Sequence, residues 1–308
     1  MNAPIPIPPP LAGRPFSVAE ALELGLSSNR LRTPDLARPF HGVREDAGGD
    51  GSLRARARAY QARMAPNEFF SHSTAALLFG VPLPSRLESQ EELHVSVLAP
   101  AAPPQAVGVA GHLLQHARTT TFEEFRVAGP EAVWCQLAGT LPLNDLVAAG
   151  DYLITGPDPY HGAAAFTTSA ELAAAVSKHP RRRGIRTARL AIELTRAGPR
   201  SRPESHLRVL IVRARLPEPQ INLPVRVLDG TQRLIDLAYP ELKLGLEYEG
   251  DWHRTNPKKW ASDIVRREEL LDVDWEIIRI DKGQLYDRPE ELLTRIRLRM
   301  RARADHAR

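Results

Sequence analysis

Cysteine is almost absent. Cys135 is the sole one, which excludes an internal disulfide and any cluster of thiolate ligands, and fits a reducing cytoplasm. No apolar run approaches the ~20 residues that a membrane-spanning helix needs. The opening MNAPIPIPPPLAGRP lacks the basic start and apolar stretch of a signal peptide, so residues 1–13 read as a short flexible proline-rich tail and no membrane partner is expected. Aromatic residues make up only 6% of the chain, with no interleaved stacking platform, which disfavours single-stranded RNA as the ligand. Lysine is scarce as well. Outside Lys178, Lys243, Lys258, Lys259 and Lys282 the cationic side of the small net charge, +4, is arginine. Arginine forks onto phosphate and guanine, so this bias suits a nucleic-acid partner and equally a solvated arginine-rich surface.

What is present is an ordinary globular composition, 43% hydrophobic and 25% charged, over 308 residues, enough for two or three domains. Over 14–50, SVAEALELGLSSNRLRTP spaces Val18, Ala21, Leu22 and Leu24 for one helix, turns at Gly25, and offers Ser27 and Ser28 as caps of a second. The following LARPFHGVRE is extended and basic, like the wing of a winged helix. Any small helical hairpin gives the same pattern; in the winged-helix reading Arg30, Arg32 and Arg38 face DNA phosphate.

From 51 to 198 the chain reads as a mainly helical α+β region. A basic helix leads into SHSTAALLFGVPLP, where Ser71 is expected to cap a helix, and the strands LHVSVLAP and VGVAGHLLQH precede four helical stretches. His72, His94, His112 and His116 are scattered without recurrent ligand spacing, and each reads as a surface or satisfied core histidine rather than a zinc ligand. The breaker segment AGPRSRP then marks a boundary, and 200–308 forms the last domain.

That domain runs helix, short strand, hairpin strands LIDLAY and KLGLEYEG, helix, strand, helix, an α/β pattern with a mixed sheet flanked by helices. A tight connection through Tyr239-Pro240-Glu241 makes the hairpin antiparallel and sets Asp236 opposite Gly245, with Glu247 and Glu249 on the same side. Carboxylates in apolar strands are costly unless paired or bound to a cation, so the hairpin signals a divalent metal, Mg2+ or Mn2+. Glu204, in the first turn of the opening helix, can reach the same edge or simply face its own helix dipole. His253 and Arg254 follow the second strand, one able to move a proton near neutral pH and the other to clamp phosphate. Arg266 is placed to bind phosphate or to pair with Asp263 or Glu269 across helical spacing.

The set Glu204, Asp236, Glu247-x-Glu249, Gly250, His253, Asp263, Arg266, Leu270, Trp275 and Arg279 resembles the restriction-endonuclease-like PD-(D/E)XK domain. More narrowly, it is similar to a bacterial family of unknown function related to very-short-patch-repair endonucleases. The resemblance covers about 200–300. It implies a metal-dependent DNA endonuclease in which Asp236 and Glu247 hold the metal, Glu204 supports it or orients water, and Glu249 is a further carboxylate. His253 would transfer a proton or bind phosphate, while Arg254 and Arg266 engage the DNA backbone. Glu249 stands where the broader superfamily has lysine, which leaves that cation's role to His253 or a neighbour, and Asp274 replaces a usual glycine. The front third, with its ARPFHGVR and SHSTAALLFGVPLP segments, resembles AbiEi-type antitoxins, which implies the alternative of a DNA-binding regulator with an inert nuclease-like domain. DNA is the partner expected in both cases, with a cognate toxin or a repair protein as a second one.

Overall fold

The computed structural model describes residues 5–158, 163–178, 183–250 and 257–306, with side chains of the last stretch from 265 onward. His253 and Arg254 lie outside the described residues. The chain divides into two compact units. One comprises Met1–Leu141 and Ala170–Ile185, the other Pro142–Ser169 and Arg186–Arg308, so two stretches of the expected 51–198 region belong with the C-terminal sheet.

The first unit opens with β1 (Phe16–Ser17), α1 (Val18–Glu23), β2 (Leu36–Ala37) and β3 (Val43–Asp46). Ser17 starts α1 because its hydroxyl accepts the Glu20 amide at 3.1 Å. The three strands pair in the order β1-β3-β2, so the wing-like segment is a true β2–β3 hairpin. The second helix of the expected pair is instead one 3-10 turn, Arg30–Arg32, begun by Ser27, whose hydroxyl accepts the Arg30 amide at 3.2 Å. Thr33 and Pro34 follow and cut it short, since a residue before proline leaves the helical region. From residue 5 on, the proline-rich start is no loose tail. Leu11 is fully buried with Phe16, Ala21 and Leu31.

The unit continues through α2 (Leu53–Gln61), β4 (Phe69–Phe70), α3 (His72–Leu78), α4 (Ser85–Glu88), β5 (Leu93–Leu98), β6 (Val109–Leu114), β7 (Thr119–Phe122), β8 (Phe125–Ala128) and α5 (Pro130–Leu137). Its five-stranded sheet has the order β6-β5-β4-β8-β7, parallel at β5–β6 and β4–β8. Tyr60, Phe70 and Phe125 stack edge-on or tilted through its core. This region therefore carries more sheet than its alanine-rich sequence suggests.

The second unit holds α6 (Leu143–Thr155) and, after α7 (Ser169–Lys178), α8 (Ile185–Leu194), α9 (Arg202–Arg213), β9 (Gln220–Arg226), β10 (Gln232–Tyr239), β11 (Leu244–Tyr248), α10 (Pro257–Asp272), β12 (Glu276–Ile280), α11 (Lys282–Tyr286) and α12 (Pro289–His306). Four strands form one mixed sheet, β12-β11-β10-β9. The β11–β12 pair is parallel because α10 intervenes as a crossover. Leu207 and Ile211 of α9 and Leu292 and Ile296 of α12 pack on Leu237, Leu246 and Ile280. Leu270 of α10 and Trp275 pack with Ile235 and Ala238 on the other side. Helix α6 is tied to α9 by buried charge: Arg208, fully buried, bonds Asp151 at 3.0 Å and the Leu194 carbonyl at 2.6 Å.

Candidate functional site

The hairpin register differs from the sequence expectation by two residues. Ala238, not Asp236, faces Gly245, next to Leu237 with Leu246. The connection is longer than a tight turn: a 3-10 turn spans Pro240–Leu242 and Lys243 takes the left-handed region at φ 45°. A shift of two preserves the face, and one step beyond Leu237–Leu246 it brings Asp236 beside Glu247. At Gly245 a Cβ would lie 2.5 Å from Ile277 Cδ1 and 2.8 Å from Ile235 Cγ2, so glycine is what lets those side chains close under the strand.

Asp236 sits at a kink. The β9–β10 ladder runs from Ile235 with Leu223 to Leu237 with Ile221, and Asn222 between them has φ 48°. Ile235 packs with Ala238 while Leu237 packs with Tyr239 in the opposite cluster, which strict alternation forbids. The irregularity re-aims Asp236, whose Oδ2 accepts the Tyr248 amide at 3.2 Å.

Glu204 reaches the same place from α9. Ser201 accepts the Glu204 amide at 3.3 Å, and the Glu204 carboxylate accepts the Arg200 amide and the Ser201 hydroxyl, both at 2.8 Å. Both sequence readings of Glu204 therefore hold together: it caps its helix and it lines the pocket. Glu247 accepts two bonds from Arg266, at 3.3 and 2.5 Å, and Arg266 also donates to the Leu234 carbonyl. Arg266 thus pairs across to β11, and Glu269 pairs with Arg233 at 2.6 Å; the side chain of Asp263 lies outside the described residues. Glu249, one residue past β11, pairs with Arg279.

These groups share a cavity of about 400 Å³ lined by Glu204, Asp236, Glu247, Glu249, Arg200, Arg266, Arg267 and Arg279. Burial, reinforced by the neighbouring Asp236 charge, pushes the Glu204 carboxyl up to about 7. Burial likewise pushes Glu247 up to about 7, against the pull of Arg266 and with the push of Asp236. Both sit at the protonation balance of neutral solution. Such desolvated, mutually repelling oxygens suit a hard cation, which would relieve both penalties. As a set they do not meet the mutual distance of 4.8 Å that one group of three does among the described residues, His72, His94 and His112 in the first unit.

Arg279, one of the residues that carry the nuclease-like resemblance, lies beside Glu247 through the parallel pairing of β11 and β12, an arrangement that spacing along the chain does not reveal. Arg200 likewise enters only through the folded turn before α9. In the N-terminal region Arg30 is not a DNA contact. It is buried, holding Asp35 at 2.8 and 3.1 Å and Thr33 at 2.5 Å. Arg32 and Arg38 are exposed. Arg44 lies near both, and burial together with those two cations lowers its pKa.

Two uncharacterized proteins from two strains of Mycobacterium tuberculosis are each 30% identical to this chain over 127 residues, 41% of the chain. The match covers 46% of either relative, so the chain spans less than half of their length. No family model matches the chain, and no solved structure matches it. No described helix is long and apolar enough to cross a membrane.

Proposed function

We propose that the chain is a metal-dependent DNA endonuclease, its reaction carried by the acidic pocket of the C-terminal unit. The observation that carries this reading is the convergence of Glu204, Asp236 and Glu247 from a helix and two strands on one cavity. Asp236 and Glu247, with Glu204 in support, would hold Mg2+ or Mn2+. When bound, such a cation polarises a phosphoryl oxygen and lowers the pKa of an attacking water. The chain's own groups supply the rest. Glu204, poised near 7, is matched to accept a proton at neutral pH. Arg266 and Arg279 hold positive charge beside Glu247 and Glu249, the charge that a lysine provides in the nuclease-like family this domain resembles, and a phosphodiester entering the pocket can take over their guanidinium groups from the carboxylates. The wider fold, a restriction-endonuclease-like α/β domain, belongs to this proposal.

Purified protein incubated with duplex DNA and Mg2+ or Mn2+ is expected to nick or cut it. Asp236→Asn and Glu247→Gln should each abolish cleavage, and equal activity in those variants would sink the assignment.

A second reading, a DNA-binding regulator of antitoxin type with an inert last domain and a cognate toxin as partner, is favoured by one observation. Glu247 and Glu249 are already neutralised by Arg266 and Arg279. If it holds, deletion of 14–50 abolishes operator binding while Asp236→Ala leaves the regulatory phenotype intact.

A further inference from the structure

We propose that His72, His94 and His112 form a transition-metal site in the first unit, separate from the acidic pocket, that takes one zinc ion or a similar divalent ion through three imidazoles. One ring nitrogen from each lies within 4.8 Å of the others. The sequence concealed this because the ligands come from three elements with spacings unlike any zinc motif.

The backbone explains how they meet. Strands β5 and β6 run parallel with Ser96 beside His112 and His94 beside Ala110. His94 and His112 therefore project from one face, two positions apart, and Nδ1 of His94 lies 2.8 Å from Nε2 of His112. The third ring arrives from the start of α3, where the Ser71 amide bonds the His94 carbonyl at 3.0 Å. His72 stacks on His112 with ring centroids 3.9 Å apart.

Two features are costly for a merely structural cluster. His72 adopts φ 49°, a left-handed conformation that strains a non-glycine residue. It is held there by its own amide donating to Gln136 Oε1 at 2.6 Å. Ser71, expected to cap α3 with its side chain, instead accepts from Ser96 at 2.7 Å and contacts His72 Nδ1 at 3.0 Å. The second is that Nε2 of His94 is buried and, among the described residues, has no hydrogen-bond partner. A ring retained for hydrogen bonding would use both nitrogens.

The donor set selects the ion. Imidazoles suit zinc, copper, nickel or iron rather than magnesium. All three residues are half-buried, and three protein ligands leave a coordination position for water or another small ligand.

The test uses the full chain, stripped with a chelator and titrated with Zn2+ alone. Uptake of one tightly held ion per chain is expected. His94→Gln and His112→Gln should weaken it by on the order of 100-fold or more, since even the loss of an outer-shell partner costs 10–100-fold. Asp236→Asn with Glu247→Gln should leave it unchanged. A native chain that takes up no Zn2+, or His variants that bind as well as the native chain, would overturn the proposal. Should the variants fail to fold, ring spectra of the native chain labelled at histidine decide it. Zn2+ must move the resonances of three of the ten histidines, and movement confined to other rings overturns the site.

Discussion

Arg266 holds Glu247 through both terminal nitrogens, at 3.3 and 2.5 Å, and so fastens α10 to β11 at the mouth of the acidic pocket. It neutralises the carboxylate that the proposed metal ion would share. A cation bound as proposed would compete with Arg266 for that carboxylate, and the competition can be measured.

Removing Arg266 deprives Glu247 of the charge that restrains its upward shift. In Arg266→Ala the acid limb of the pH–rate profile for Mg2+-dependent cleavage is expected to move to higher pH. Activity at about pH 6 should fall further than at about pH 8. An equal loss at every pH would show that Arg266 acts only on substrate.

Glu204 couples stability to pH. Its folded pKa near 7 stands above the ordinary 4.5, so between those values the folded chain binds more protons than the unfolded one. The contribution of Glu204 to stability is then greatest below about pH 4.5 and is lost as pH rises through about 7. Glu204→Gln removes the buried charge. It should raise stability by about 1–3 kcal/mol at pH 8, with the gain vanishing toward pH 4.5 while cleavage is lost. Urea denaturation at both pH values checks this, and a pH-independent difference would refute the coupling.

Arg208 and Asp151 are both fully buried and bonded at 3.0 Å. Arg208→Met leaves Asp151 without its counter-ion and should cost about 3–5 kcal/mol. Adding Asp151→Leu should restore part of that loss. If the double variant is no better than the single one in thermal denaturation, the pair is not what binds α6 to α9.

The N-terminal arginines separate by burial. Arg30→Ala should destabilise the first unit by about 2–4 kcal/mol, because it abandons Asp35 and Thr33. Arg32→Ala with Arg38→Ala should change stability by less than about 0.5 kcal/mol and reduce the salt dependence of DNA binding by roughly two phosphate contacts. Unchanged salt dependence would remove this patch from the DNA-binding surface.

The parts legible in sequence were those governed by local periodicity. The order of elements from α9 to β12, the closing helix α12 and the antiparallel hairpin follow from apolar spacing and breaker residues, whereas the short α11 between β12 and α12 was not foreseen. That Asp236 and Glu247 line one cavity was expected from alternation, but the ladder breaks at Asp236, and the folded strand rather than its period aims that side chain. Elements whose form depends on neighbours were missed. The second N-terminal helix shrank to Arg30–Arg32, and Arg30 turned inward to Asp35. Leu11 found a core that the prolines around it had hidden.

The sequence alone determined that buried carboxylates would gather in the last domain, because charge in apolar strands at period two has few other resting places. It could not decide what would neutralise them, since Arg266 and Arg279 meet Glu247 and Glu249 only after a helix crossover and a parallel pairing. Nor could it assemble His72, His94 and His112. Ligand spacing along a chain signals a site only when one element carries the ligands, and here three elements meet through strand pairing and a left-handed turn that exist only in the folded state.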